Sequence, residues 1–270
     1  MLLNEEEGGP FSNRPRLGLD DTFRFHCHPG VPCFNACCRD VNIVLTPYDC
    51  LRLRKRLGLS SREFLEKYTV LPQTNRGVFP IPVLKMSDDA ERKCPFVGKN
   101  GCSVYSDRPW PCRMYPLGHM TNRSSDRPLG EEYWFLLKED LCKGHEEEKV
   151  WTVREYMKDQ GTEPYERMGE FFRDLALHET VVSGKLKPTK EQIENFFMAL
   201  YDLDNFRKMV FNTSFLKRFV VQEERVERMR KDDEELLEFG FLWVRFVMFG
   251  EKTMKLTKEA EESIKRRIQS

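Results

Sequence analysis

The sequence has no excess charge of either sign: 44 basic side chains stand against 44 acidic ones, for a formal net charge of zero. That balance argues against a nucleic-acid or membrane-surface binder working by overall electrostatics. A membrane-spanning run is also lacking. The most hydrophobic stretch, LLEFGFLWVRFVMFG at 236–250, carries Glu238 and Arg245, whereas a spanning helix needs about 20 nearly uncharged residues. It reads as a helix in the core or facing a partner, with core favoured. The opening MLLNEEEGGP is acidic and too poor in apolar residues for a signal peptide, so the expected compartment is the cytoplasm. There is no internal repeat, no low-complexity tract, and no P-loop or Gly-x-Gly-x-x-Gly after a strand. The sequence therefore offers no visible nucleotide site.

Cysteine is missing beyond residue 142, although the chain holds nine of them. This shift divides the expected organisation into an N-terminal arm (1–20), a cysteine-cluster metal-binding region (21–150) and a helical region (151–270). A single shared core is the alternative to separate units. The fold class expected is α+β, mainly α: an irregular cysteine-rich part with short strands, followed by helices.

Local signals fill in this outline. VNIVLT (41–46) has apolar residues at 41, 43 and 45 and predicts a short strand. Thr46, Pro47 and Asp49 form a helix start, and Gly58 is the expected C-cap. A second capping box, SSRE at 60–63, opens the next helix. GVFPIPVLKM (77–86) contains Pro80 and Pro82, so it predicts an edge strand at most. Further on, helical spacing predicts one helix over 189–211, a second from the polar EERVE run at 223 through 250, and a short final helix over 257–268.

The thiols fall into groups: Cys27, Cys33, Cys37 and Cys38 in HCHPGVPCFNACCRD (26–40); Cys94, Cys102 and Cys112; and Cys142. In a reducing compartment, nine thiols point to metal rather than disulfides, and an odd count leaves one over in any all-disulfide scheme. Thiolates select zinc or iron–sulfur clusters, and four complete a tetrahedral zinc or a cubane. Cys50 stands apart among Leu51, Leu53 and Leu57, and reads as a small buried hydrophobe. Successive side chains diverge, so the adjacent Cys37 and Cys38 fit poorly around one zinc. They suit two irons of a cluster, two neighbouring metals, or one ligand beside one reactive thiol, which favours iron–sulfur.

His26 and His28 flank Cys27 and read as supporting or solvent-facing groups. Arg39, Arg108 and Arg113 neighbour cysteines and could donate to sulfur, tuning a redox potential; binding surface carboxylates is the alternative. Cys33-x3-Cys37 begins a radical-SAM spacing, but Asp40 occupies the next slot.

CFNACCRDVNIVLTPYDCLRL followed by CPFV, GCSVYSDRPWPCRMYP and Cys142-Lys143-Gly144 resembles the YkgJ-like cysteine-cluster family of zinc- or iron-chelating domains. Matching positions are Cys33, Cys37, Cys38, Thr46, Asp49, Cys94, Cys102, Tyr105, Arg108, Pro109, Cys112, Arg113 and Pro116, with Cys27 as the opening cysteine. The resemblance covers roughly residues 25–145. Its first element departs from the family's Cys-x2-Cys-x2-Cys-Cys, being stretched here to Cys-x5-Cys-x3-Cys-Cys.

The resemblance implies a metal cluster. Its relatives include flagellin lysine N-methylases associated with an iron–sulfur cluster, but no methyl-donor pocket or methyltransferase signature is visible in this sequence. The ligands expected are Cys27, Cys33, Cys37, Cys38, Cys94, Cys102, Cys112 and Cys142. Four would hold a 4Fe–4S cluster and the rest a second site or a support, with zinc the alternative metal. The role expected is redox or protein-modifying, with a protein substrate or redox partner. A zinc-stapled interaction scaffold and a SAM-dependent protein lysine methylase are the competing readings.

Overall fold

The computed structural model describes residues 14–72 and 78–269. The chain is α+β and mainly helical. In order it forms β1 (Thr22–Arg24), α1 (Pro47–Leu57), α2 (Ser61–Tyr68), β2 (Thr69–Val70), β3 (Val83–Leu84), β4 (Val97–Gly98), β5 (Gly101–Cys102) and α3 (Trp110–Met114). Then come β6 (Leu117–Thr121), β7 (Glu132–Leu136), β8 (Val150–Thr152), α4 (Val153–Asp159), α5 (Glu163–Ala176) and α6 (Glu179–Val182). The chain continues through α7 (Lys190–Leu200), α8 (Leu203–Asn212), α9 (Phe215–Arg218), α10 (Glu223–Lys231), α11 (Asp233–Phe249) and α12 (Lys258–Gln269). Among the described residues the strands make four antiparallel pairs, β1–β8, β2–β3, β4–β5 and β6–β7. None is more than a two-stranded ribbon, so side chains from elsewhere must supply the core.

The helix starts follow their capping residues. Thr46 and Asp49 cap α1 reciprocally, Pro47 sits in its first turn, and Gly58 ends it at φ 65°, a conformation glycine adopts without steric cost. Ser60 and Glu63 do the same for α2. Three expectations need correction. Residues 41–46 form no strand: Val44 makes a single bridge to Val83. Leu45 N donates to Pro82 O at 2.9 Å, but proline has no N–H to return the bond, so the ladder stops. The alternation still holds, with Leu45 fully buried and Val44 exposed.

The helix expected over 189–211 is two helices, because Asp202 leaves helical geometry and its side chain accepts from Asn205 N. The helix expected from 223 to 250 likewise breaks at Asp232, whose carboxylate accepts from Glu234 N. Both aspartates offer the backbone a competing partner, which is why they start helices rather than continue them. Gly77 of the edge-strand segment, and residues 1–13 of the arm, lie outside the described residues. Of the arm, Leu17 exchanges backbone hydrogen bonds with Trp134 at 2.7 and 2.9 Å.

One large core joins α1 and α2 to the C-terminal helices, burying Leu45, Leu51, Leu53, Phe64, Phe196, Phe206 and Phe241 almost completely. The apolar run 236–250 is core, as expected: α11 packs against α5, α7, α8 and α10. Polar links fasten α1 to it, with Arg54 Nη2 on Asp233 at 2.7 Å and Tyr48 Oη on Glu234 at 2.9 Å. A smaller core of Phe23, Phe25, Met114, Leu117, Trp134, Val153 and Tyr156 lies under β1, β6, β7 and β8. Among the described residues no helix is long and apolar enough to cross a membrane.

Two helices approach closely at Gly240, where an added Cβ would lie 2.6 Å from Ala199 O. That oxygen belongs to the backbone of α7 and cannot swing away. Gly240→Ala should therefore destabilise the fold by about 1–3 kcal/mol, read as a lower urea midpoint at unchanged slope.

Candidate metal centre

All nine cysteines are free thiols. Cys50 is 3% exposed within α1, among core side chains, and burial pushes its thiol well above its ordinary value. The other eight lie on irregular backbone or within short elements. Asn35, in the left-handed region at φ 68°, opens a single 3-10 turn over Ala36–Cys38 that presents Cys37 and Cys38.

The thiols form two neighbourhoods. Around Cys27, His26 N donates to Gly144 O at 2.9 Å, which lays the segment after β1 beside the 3-10 turn Lys143–His145. Lys143 N in turn donates to Cys33 Sγ at 3.1 Å, setting Cys33 next to Cys142. The thiol of Cys27 is pushed up to about 11, first by burial and then by Cys37, Cys33 and Cys142. Tyr115 adds a phenol that donates to Glu139 at 3.1 Å and lies beside Cys142.

The second neighbourhood is built from Cys38. Cys94 N donates to Cys38 O at 2.9 Å, and Val97 N to Cys94 O at 3.2 Å. The β4–β5 register then sets Cys102 across from Val97. Cys112 rides on α3. It is open to solvent yet densely surrounded, and its thiol is pushed up to about 12 by desolvation, then by Cys94, Asp49 and Cys102. Cys94 and Cys102 are raised by burial as well.

The adjacent thiols of Cys37 and Cys38 lie close enough to perturb each other, which lowers Cys37 to about 7 and raises Cys38.

The flanking arginines divide. Arg39 pairs with Glu91 at 2.7 Å on the surface, the carboxylate alternative. Arg113 is buried and donates to Arg108 O, Gln160 O, Ser106 O and the Tyr165 hydroxyl, so it ties the loop together. Arg108 donates to Tyr105 O and Gln160 Oε1, and its charge offsets part of the rise at Cys102 and Cys112. Gln160 and Tyr165 were not singled out from sequence; they lie past the last cysteine, where no motif marks them.

Asp49 positions Cys112. It has no exposed surface. One oxygen accepts from Thr46 N and Oγ1 at 2.8 Å, the other from Trp110 N at 2.7 Å. The first turn of α3 is thereby pinned to the first turn of α1.

His26, His28 and Glu147 have ligand atoms within 4.8 Å of one another. His28 Nε2 lies 3.2 Å from Glu147, while its Nδ1 accepts from Gly30 N at 3.1 Å. The ring proton therefore sits on Nε2, toward the carboxylate. A ligating histidine needs its proton on the other nitrogen, so the trio is a hydrogen-bonded surface group. Among the described residues, no three thiol sulfurs come within that same 4.8 Å.

Eight soft sulfur donors suit zinc or iron. Residues 26–161 match the family model CxxCxxCC, described as "Putative zinc- or iron-chelating domain". The chain belongs to that family. No curated protein and no solved structure matches it.

Burial holds the Asp49 carboxyl up at about 6, against an ordinary 3.8. The folded chain thus binds this proton more tightly than the unfolded chain, and the group's contribution to stability falls as pH rises from about 4 to about 6. Asp49→Ala should lose that slope. It should also cost about 2–4 kcal/mol, from the lost cap and the orphaned Trp110 N–H, as read by urea unfolding across that pH window.

Proposed function

We propose that the chain is an iron–sulfur protein of the 4Fe–4S type, whose ligands come from Cys27, Cys33, Cys37, Cys38, Cys94, Cys102, Cys112 and Cys142. The observation that carries this reading is the gathering of eight thiols, held by backbone hydrogen bonds from four separate stretches of chain. Adjacent cysteines such as Cys37 and Cys38 suit two irons of a cluster better than two corners of one zinc, which favours iron–sulfur. The Arg108 guanidinium supports the reading too, as a cation that offsets thiolate charge and raises a reduction potential.

A bound cluster would supply one-electron chemistry. The residues around it set access and potential: Cys27 lies at the surface, where a redox partner or protein substrate could approach, and Tyr115 contacts Cys142 from the smaller core. The thiols must lose protons to bind metal, so loading requires a reducing, near-neutral compartment such as the cytoplasm.

Purification without oxygen should give a brown protein with iron and acid-labile sulfide in equal amounts. A colourless protein with stoichiometric zinc would overturn the iron–sulfur reading in favour of a zinc-stapled scaffold. Calorimetry with S-adenosylmethionine should give no heat; a saturable signal would bring back the methylase reading. Replacing Cys37 or Cys38 by Ser should release metal and lower stability, because binding and folding are coupled. Cys50→Ser should leave the metal content unchanged, and equal metal loss there would refute the division of the nine thiols.

A further inference from the structure

We infer that the eight thiols form two four-thiolate centres meeting at the Cys37–Cys38 peptide: Cys27, Cys33, Cys37 and Cys142 hold one, and Cys38, Cys94, Cys102 and Cys112 the other. The inference rests on the metal-binding reading above, and it assigns every clustered thiol to one partner set.

The backbone draws the division. Cys27, Cys33 and Cys142 are tied by two hydrogen bonds that leave the second set out: His26 N to Gly144 O, and Lys143 N to Cys33 Sγ. Cys38, Cys94 and Cys102 are tied by a separate chain of bonds through Val97 and the β4–β5 ribbon. Asp49 then brings Cys112 to that side by fixing Trp110.

Proximity follows the same line. Cys37, Cys33 and Cys142 surround Cys27, whereas Cys38, beyond its neighbour Cys37, has Cys94 and Cys112 beside it. Cys112 in turn has Cys94 and Cys102 nearby.

Packing separates them as well. Cys142 lies against the smaller core, while Cys94 and Cys102 lie against the large helical one. Four sulfurs on each side complete one tetrahedral or cubane ligand set apiece. The adjacent pair is what lets two such sets share one short turn.

Each centre has one exposed thiol, Cys27 in the first and Cys112 in the second. The first has Cys27 at the surface and the Lys143 backbone at its rim. The second backs onto the main core beside the buried Arg108.

The test is metal per chain, measured by mass spectrometry on full-length protein purified without oxygen. The wild type is compared with Cys27→Ser/Cys142→Ser and with Cys102→Ser/Cys112→Ser, and circular dichroism confirms folding. Each double variant should keep half of the wild-type metal. If Cys27→Ser/Cys142→Ser loses all of it while still folded, or none of it, the partition is wrong. Should the second variant fail to fold, the first still decides, because its two sulfurs lie away from the large core. Zinc falling from two per chain to one would leave the partition standing while removing the iron–sulfur reading. Iron lost completely from the folded first variant would do the reverse.

Discussion

Asp49 is a carboxylate with no exposed surface, and it receives hydrogen bonds from the start of two helices at once. Neither helix start can shift without leaving a buried donor unpaired, and that cost is larger than the net gain from an average hydrogen bond. The cysteine-rich loops have few regular elements of their own. Their thiols keep their places because α1 is sunk in the large core and Asp49 transfers that rigidity to α3. Arg113 extends the same frame, through Gln160 and Tyr165, to the beginning of the C-terminal helices.

Much of the frame was legible from residue types. The capping pairs Thr46/Asp49 and Ser60/Glu63 gave helix starts, because hydroxyl and carboxylate side chains can satisfy free N–H groups only in that geometry. Thr152 and Glu155 cap α4 in the same way, a signal that could have been found. Helical periodicity ran straight through Asp202 and Asp232, since a hydrophobic pattern registers which face is buried and not where a polar side chain diverts the backbone. The strand at 41–46 failed for a reason held in its partner, Pro82, which no local window contains.

The thiols were recognisable as a group because eight of them crowd into loops. Their arrangement was not recognisable, because it depends on hydrogen bonds between segments more than a hundred residues apart, such as Lys143 N to Cys33 Sγ. Of the three arginines marked in the sequence, Arg108 donates to Tyr105 O and Gln160 Oε1 rather than to a sulfur. Arg39 serves a surface ion pair and Arg113 a structural web.

The central claim is that sulfur atoms of this chain hold the metal. X-ray absorption at the metal edge, on protein purified without oxygen, tests it most directly. The account predicts a first shell made only of sulfur at about 2.3 Å, with a second shell of iron beyond it. A first shell dominated by nitrogen or oxygen would contradict it.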